Sequence, residues 1–149
     1  MVTDASMLAE EDRLWTSLRS TIEGFQPDQA LMPGYFDEGW TAKDALAHIG
    51  TWLAEAGVAL EQIRGGTYVE LQTDQLDEMN ERFLDAMRDV PLADVKAQAT
   101  AARARMLHAW TELRKPGDVA ADWIRKAGPD HYEEHLPRLQ EWLRELEAG

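Results

Sequence analysis

The chain has 149 residues, a length that predicts a single domain over residues 1–149 with a core of its own. Its 15 basic and 28 acidic residues give a net charge of −13, which repels polyphosphates and argues against a nucleic-acid partner. The absence of cysteine excludes disulfides, thiolate ligands and a cysteine nucleophile.

The N-terminal segment, MVTDASMLAEEDRLW, has neither a basic start nor an apolar stretch, so no signal peptide is predicted. No apolar run along the chain approaches the length that crosses a bilayer, so no membrane partner is expected. The default expectation is a soluble cytoplasmic protein.

The apolar spacing is helical along nearly the whole chain. A stripe at steps of three, four or a multiple predicts a first helix over about 5–24, with Asp4 or Ser6 as its N-cap. Residues 25–40 break this period at Pro27, Pro33 and Gly34, and therefore predict a long loop. The stripe of the first helix consists of Leu8, Leu14, Trp15, Leu18, Ile22 and Phe25.

A second helix is predicted to begin after Thr41, because Asp44 three residues later makes the sequence close to a capping box. Gly65 and Gly66 end it. A third helix is predicted over about 74–89. The buried face of the second helix carries Ala45, Ile49, Trp52, Ala56, Leu60 and Ile63.

Pro91 suits the first turn of a fourth helix, whose apolar residues alternate three and four apart as far as Leu113. A short turn is predicted around 119–126, and a last helix from near Pro129 to about Leu146. No strand is predicted, since the one extended-looking segment, TYVELQ, is short and isolated. The expected fold is all-α, most simply a four-helix bundle with a long loop after the first helix.

Two histidines near the C-terminus, His131 and His135, are four residues apart and share one helix face. Both rings can therefore bind one ion, and H-x-x-x-H is a common half-site for zinc or nickel. On a helical wheel the pair flanks the buried face near Leu139 and Trp142. The alternative is a pair of amphipathic residues at the helix boundary.

The segment HYEEH, residues 131–135, also fits the inverted zinc-peptidase signature H-x-x-E-H, with Glu134 as the base. That mechanism requires a third protein ligand from well downstream. Only residues 136–149 follow, and they continue the same helix. The peptidase interpretation is therefore disfavoured.

The third ligand is expected upstream, at His48 on the second helix, which lies at the margin of that helix's apolar stripe. Three imidazoles would leave one position open for water or substrate, which is the arrangement of a catalytic metal site. His108 faces about 100 degrees away from the seam of the fourth helix and is predicted to lie on the surface.

Two segments resemble the DinB-like metal-binding helical proteins, a superfamily that includes bacillithiol transferases and mycothiol-dependent maleylpyruvate isomerase. GWTAKDALAH, residues 39–48, resembles the family's W-(S/T)-x-x-(D/E)-x-x-x-H segment, and DHYEEHL, residues 130–136, resembles its closing H-x-x-x-H. The similarity covers nearly the whole chain in helix order and length. It implies a DinB-like bundle in which three histidines bind a divalent ion, usually zinc or nickel. These ligands are His48, His131 and His135.

The resemblance also implies an activity. Characterised members transfer or isomerise with low-molecular-weight thiols, the metal stabilises the thiolate, and members often form homodimers. Mycothiol would suit a composition rich in Ala, Arg, Asp and Trp. A related branch, the colibactin self-protection proteins, opens a cyclopropane without obvious use of metal. Pro137 departs from a regular helix just after His135, and its kink would change the tilt of both rings.

The main functional interpretation is a metal-dependent thiol transferase or isomerase, or a hydrolase, that acts on a small electrophilic substrate. Candidate proton handlers are Glu55, seven residues beyond His48, and Tyr132, while Glu134 could support a ring nitrogen. Each of these three is more commonly a solvated or packing residue. The alternative is a non-enzymatic small-molecule-binding, stress or resistance protein on the same bundle, with or without metal.

Overall fold

The fold consists of helices joined by short segments, in a computed structural model that describes residues 3–36 and 39–149. The described residues contain no strand, which confirms the prediction of an all-α fold. None of the described helices is long and apolar enough to cross a membrane. The helices are α1 (Asp4–Glu23), α2 (Pro27–Ala30), α3 (Ala42–Gly65), α4 (Leu76–Met87), α5 (Leu92–Thr111), α6 (Asp118–Ala127) and α7 (Pro129–Ala148).

The first helix is capped one residue earlier than the sequence predicts. Its N-cap is Thr3, whose side chain accepts a hydrogen bond from the Ser6 N–H at 3.0 Å. The Ser6 hydroxyl accepts one from the Thr3 N–H at 2.9 Å, which completes a capping box. The prediction of Asp4 or Ser6 as the N-cap is therefore wrong, although Ser6 belongs to the capping motif.

The predicted start of α3 is confirmed. The Thr41 hydroxyl accepts from the Asp44 N–H, and the Asp44 carboxylate accepts from the Thr41 N–H, both at 3.0 Å. The helix ends at Gly66, which adopts the left-handed conformation with φ of 75°. Because this cap fixes where α3 begins, it also fixes the position of the helix face that carries His48.

Three connecting segments differ from prediction. The long loop contains the single turn α2, and its residues 37 and 38 lie outside the described part of the chain. A 3-10 turn, Thr73–Gln75, precedes α4. The turn predicted around 119–126 is wrong, because this segment is the helix α6. Its apolar residues at helical spacing are buried in the bundle, which stabilises a helix too short to be stable alone. They are Ala120, Ile124 and Ala127.

The bundle is formed by α1, α3, α5 and α7. Its main contacts run between α3 and α5 and between α1 and α7, while α6 packs on both α3 and α7. The α3–α5 contact is close, since a Cβ atom at Gly50 would lie 3.1 Å from the Cβ of Ala99. The α4 helix packs against α3 and has no buried residue. Residues of α3 and α4 together line a pocket on this side of the bundle.

Candidate metal centre

The three histidines lie near the N-terminal ends of two helices, α3 and α7. His48 lies two turns into α3, and His131 and His135 occupy the first two turns of α7, which begins directly after α6. The tight α6–α7 junction requires Gly128, because a Cβ atom there would lie 2.7 Å from the Ile124 carbonyl oxygen. The junction places the N-terminal turns of α7 beside α3. Pro137 lies inside α7, and the helix continues through it to Ala148.

The three predicted ligands form one cluster. One ring nitrogen from each of His48, His131 and His135 lies within 4.8 Å of the others. The two α7 rings approach most closely, with their Nε2 atoms 3.1 Å apart. His131 and His135 are 7% and 4% exposed, and His48 is half-buried. The structure therefore brings together the three histidines that the sequence singled out.

Burial keeps these imidazoles neutral. It lowers the pKa of His48 to about 4, that of His131 to about 3 and that of His135 to about 4. Neighbouring imidazoles lower the first two values further, because adjacent rings cannot all be charged. At neutral pH each ring therefore has an unprotonated nitrogen. The donor set suits a borderline divalent ion such as zinc or nickel, so the three histidines could hold one.

The loop between α2 and α3 covers one side of the cluster with aromatic rings. The Tyr35 hydroxyl lies 3.0 Å from the Nδ1 atom of His135. Phe36 packs 6.2 Å from the same ring, centroid to centroid, and Trp40 contacts the ring of His48 edge-on at 5.4 Å. Sequence analysis missed these contacts. Their signal was the three aromatic residues in a segment predicted to be a loop.

A pocket of about 510 Å³ opens beside the cluster, and His48 and His131 form part of its wall. Its indole rings are fixed by hydrogen bonds: the Trp52 N–H donates to Asn80 at 2.7 Å, and the Trp123 N–H donates to the Tyr68 hydroxyl at 2.9 Å. Because both N–H groups are satisfied, the indoles offer mainly carbon surface to a ligand. The apolar and aromatic lining comprises Trp52, Tyr68, Leu71, Leu76, Val119 and Trp123.

The structure separates the three candidate proton handlers. Glu134 is exposed and lines the pocket. Glu55 is half-buried on α3 and does not belong to the lining. Tyr132 is fully buried, and its hydroxyl donates to Glu11 at 2.9 Å instead of facing the pocket. Burial raises the pKa of Tyr132 above its ordinary value. Of the three residues, only Glu134 is placed to reach a bound molecule. His108 is exposed, as predicted.

A buried ion pair supports the helix that carries the α7 histidines. Glu11 on α1 is 1% exposed and accepts two hydrogen bonds from Arg103 on α5, at 2.6 and 2.7 Å. Glu11 also accepts a hydrogen bond from the Tyr132 hydroxyl, so its carboxylate joins α1, α5 and α7. The sequence signal was available, because Glu11 lies four residues after Met7 and three before Leu14, on the apolar stripe of α1.

No family model matches the chain, and no curated protein matches it. Solved structures share its fold. One is an uncharacterised protein from Escherichia coli UTI89, with a TM-score of 0.84, 15% identity, and coverage of 97% of this chain and 95% of that chain. Another is the colibactin self-resistance protein ClbS in complex with double-stranded DNA, with a TM-score of 0.80, 12% identity and 93% of each chain covered. At these identities the likeness shows the fold alone.

The ClbS structure corrects one expectation. Nucleic acid was excluded as a partner because of the net charge of −13. That exclusion is wrong as a conclusion from charge, since a protein with this fold has been crystallised with double-stranded DNA. Net charge is a sum over the whole surface, whereas contacts with DNA depend on the groups at the contact itself.

Proposed function

We propose that this chain is a DinB-like protein of the resistance type, which takes a small molecule into the pocket beside a three-histidine divalent-metal site. The observation that carries the proposal is the convergence of His48, His131 and His135 within 4.8 Å, beside a pocket of about 510 Å³ that the first two line. A cluster of buried neutral imidazoles beside a pocket of ligand size is a default binding-site hypothesis. The fold shared with a self-resistance protein supports the resistance role.

The lining favours a planar, largely apolar ligand. Two indoles and a phenol supply flat surface, and stacking on such rings adds about 0.5–1.5 kcal/mol beyond simple burial. The charged lining residues are Glu70, Asp122 and Glu134 against Lys126. Three carboxylates and one ammonium make the pocket of the metal-free protein acidic, so without the ion a neutral or cationic group is favoured over an anionic one.

The second candidate is a thiol-dependent transferase or hydrolase, and the exposed Glu134 carboxylate in the pocket favours it. A divalent ion would supply charge that lowers the pKa of a thiol or water. Glu134 is one residue before His135 and could accept a proton from a molecule in the pocket. Turnover of an electrophile with a low-molecular-weight thiol separates this candidate from a protein that only binds its ligand.

Metal content tests the site directly. Purified untagged wild type should contain about one equivalent of zinc or nickel, measured by mass spectrometry, because three imidazoles suit such an ion. His135→Ala should lose the metal. Its metal affinity should fall by more than the roughly 10- to 100-fold that follows removal of a group that only hydrogen-bonds to a ligand. The matched control is His108→Ala, which removes an exposed histidine outside the cluster and should retain the metal. Wild type that takes up no zinc or nickel on titration would contradict the metal site.

The ligand class is tested with two probes that share a naphthalene ring system and differ in the charge of the attached group. We expect 2-naphthylmethanol to bind the metal-free protein, kept so with a chelator, more tightly than 2-naphthoate in calorimetric titrations, because the lining without the ion is acidic. Trp123→Leu should weaken 2-naphthylmethanol about 2- to 10-fold through lost stacking. Trp142→Leu is the control, since this half-buried indole does not line the pocket. Wild type that binds neither naphthalene would refute the proposed ligand class.

A further inference from the structure

Tyr35 places a buried hydroxyl against His135, one of the three proposed metal ligands. It is 0% exposed, and its oxygen lies 3.0 Å from His135 Nδ1 and 3.3 Å from the His135 carbonyl oxygen. A hydroxyl can donate one hydrogen bond and accept others. It can therefore donate to an unprotonated Nδ1. It can equally accept from a protonated Nδ1 while donating to the carbonyl.

The position of Tyr35 is set by α7 itself. Arg138, one turn beyond His135, donates from Nε to the Tyr35 carbonyl at 2.7 Å and from its terminal nitrogen to the Gly34 carbonyl at 2.9 Å. Its guanidinium also lies over the Tyr35 ring, 5.8 Å from the centroid. The Tyr35 N–H donates to the Trp40 carbonyl at 2.9 Å. The hydroxyl is thus held in place by groups other than the histidines.

The 3.1 Å distance between the Nε2 atoms of His131 and His135 requires a proton on one of them, and their other neighbours favour one arrangement. Burial lowers the pKa of His131, and the backbone of Ala127 raises it in part, which places Ala127 beside this ring. If its Nδ1–H donates to that carbonyl, its Nε2 is an acceptor. His135 Nε2, 3.1 Å away, then carries the proton between the two rings. His135 Nδ1 is left unprotonated and accepts from Tyr35. In this arrangement Tyr35 donates to His135, His135 donates to His131, and the remaining N–H of His131 points to Ala127.

An ion on His135 Nε2 requires the other tautomer, because the bound nitrogen must be unprotonated. We propose that Tyr35 is a positioning residue that serves both tautomers of His135, an inference that rests on the metal-binding function proposed above. The His135 ring loses a proton at Nε2, gains one at Nδ1 and stays neutral. Its Nδ1–H then donates to the Tyr35 oxygen, and the Tyr35 proton turns to the His135 carbonyl. The hydrogen bond between the two Nε2 atoms would be exchanged for binding of the ion, while the hydrogen bond between Nδ1 and Tyr35 is kept.

The proposal is tested in the wild type by ¹⁵N spectroscopy of histidine side chains, without and with zinc(II). The protonated nitrogen of His135 should change from Nε2 to Nδ1 on zinc binding, whereas His131 should keep its proton on Nδ1. The same protonated nitrogen of His135 in both samples would overturn the proposal. Because this measurement uses only the wild type, it does not depend on how any variant folds.

The hydroxyl itself is tested by Tyr35→Phe. Zinc affinity, measured by competition with a chelator, should fall about 10- to 100-fold, the usual effect of removing an outer partner of a metal ligand. Tyr132→Phe is the matched control, because it removes an equally buried hydroxyl that donates to Glu11 and not to a histidine. It should keep the wild-type dissociation constant for zinc.

The outcomes distinguish the two proposals. Tyr35→Phe with wild-type zinc affinity would overturn the role of Tyr35 and leave the metal site intact. A wild type that binds no zinc would refute the metal site itself, and the role of Tyr35 with it.

Discussion

Replacement of Glu11 by alanine should lower the free energy of unfolding by about 3–5 kcal/mol, the usual cost of leaving one member of a buried ion pair without its partner. The carboxylate is 1% exposed and receives three hydrogen bonds, two from Arg103 and one from the Tyr132 hydroxyl. Alanine would leave the guanidinium without its main partner and would open a cavity between α1, α5 and α7. Chemical denaturation monitored by circular dichroism measures the loss.

The neighbouring Glu10 provides the matched control. It also pairs with an arginine, Arg13, but both side chains are largely exposed, and such surface pairs contribute little. Glu10→Ala should therefore leave the unfolding midpoint essentially unchanged. If Glu11→Ala were no more destabilising than Glu10→Ala, the buried pair would not support the bundle as described.

The chain without bound metal should lose stability steeply between pH 6.5 and pH 5. In the folded state, burial lowers the pKa values of His48, His131 and His135 to between about 3 and 4. In the unfolded chain the histidine pKa values are near 6.5, so between pH 6.5 and pH 5 the unfolded state binds more protons than the folded state. The free energy of unfolding therefore falls as the pH falls. Well below 6.5, the slope approaches about 1.4 kcal/mol per pH unit for each ring.

Urea denaturation at pH 7, 6 and 5 with a chelator present measures this effect. His131→Ala should reduce the slope, because it removes one of the three buried rings that stay neutral in the folded state. His108→Ala leaves the buried cluster intact and should keep the full pH dependence. Equal stability of the wild type at pH 7 and pH 5 would show that the buried rings are not held neutral.

Much of the candidate site follows from local spacing. His131 and His135 are four residues apart on a helix, so they share a face wherever that helix packs. The capping box of Thr41 and Asp44 places His48 on a defined face of α3. The resemblance of two short segments to one family then connects the three histidines, and the structure brings them within 4.8 Å of one another.

The partners of these histidines could not be predicted in the same way. Tyr35 is one hundred residues from His135 in the chain, and the loop that carries it has no periodicity to orient a side chain. Tyr132 is adjacent to a ligand in sequence, yet its hydroxyl faces Glu11 because neighbouring residues on a helix point in different directions. Tyr132 was therefore predicted to act at the site only because it is adjacent to His131 in sequence. Tyr35 was not predicted, because it is far from the histidines in sequence.

The periodicity of apolar residues was sufficient for the all-α class, for the main helices and for the histidine pair, because these depend on interactions between residues three and four apart. Tertiary contacts decided the rest: that residues 118–127 form a helix, that Arg103 and Tyr132 are the partners of Glu11, and that an aromatic loop covers the cluster. In each case the stabilising partner lies on another helix, and no local pattern specifies which helices pack together.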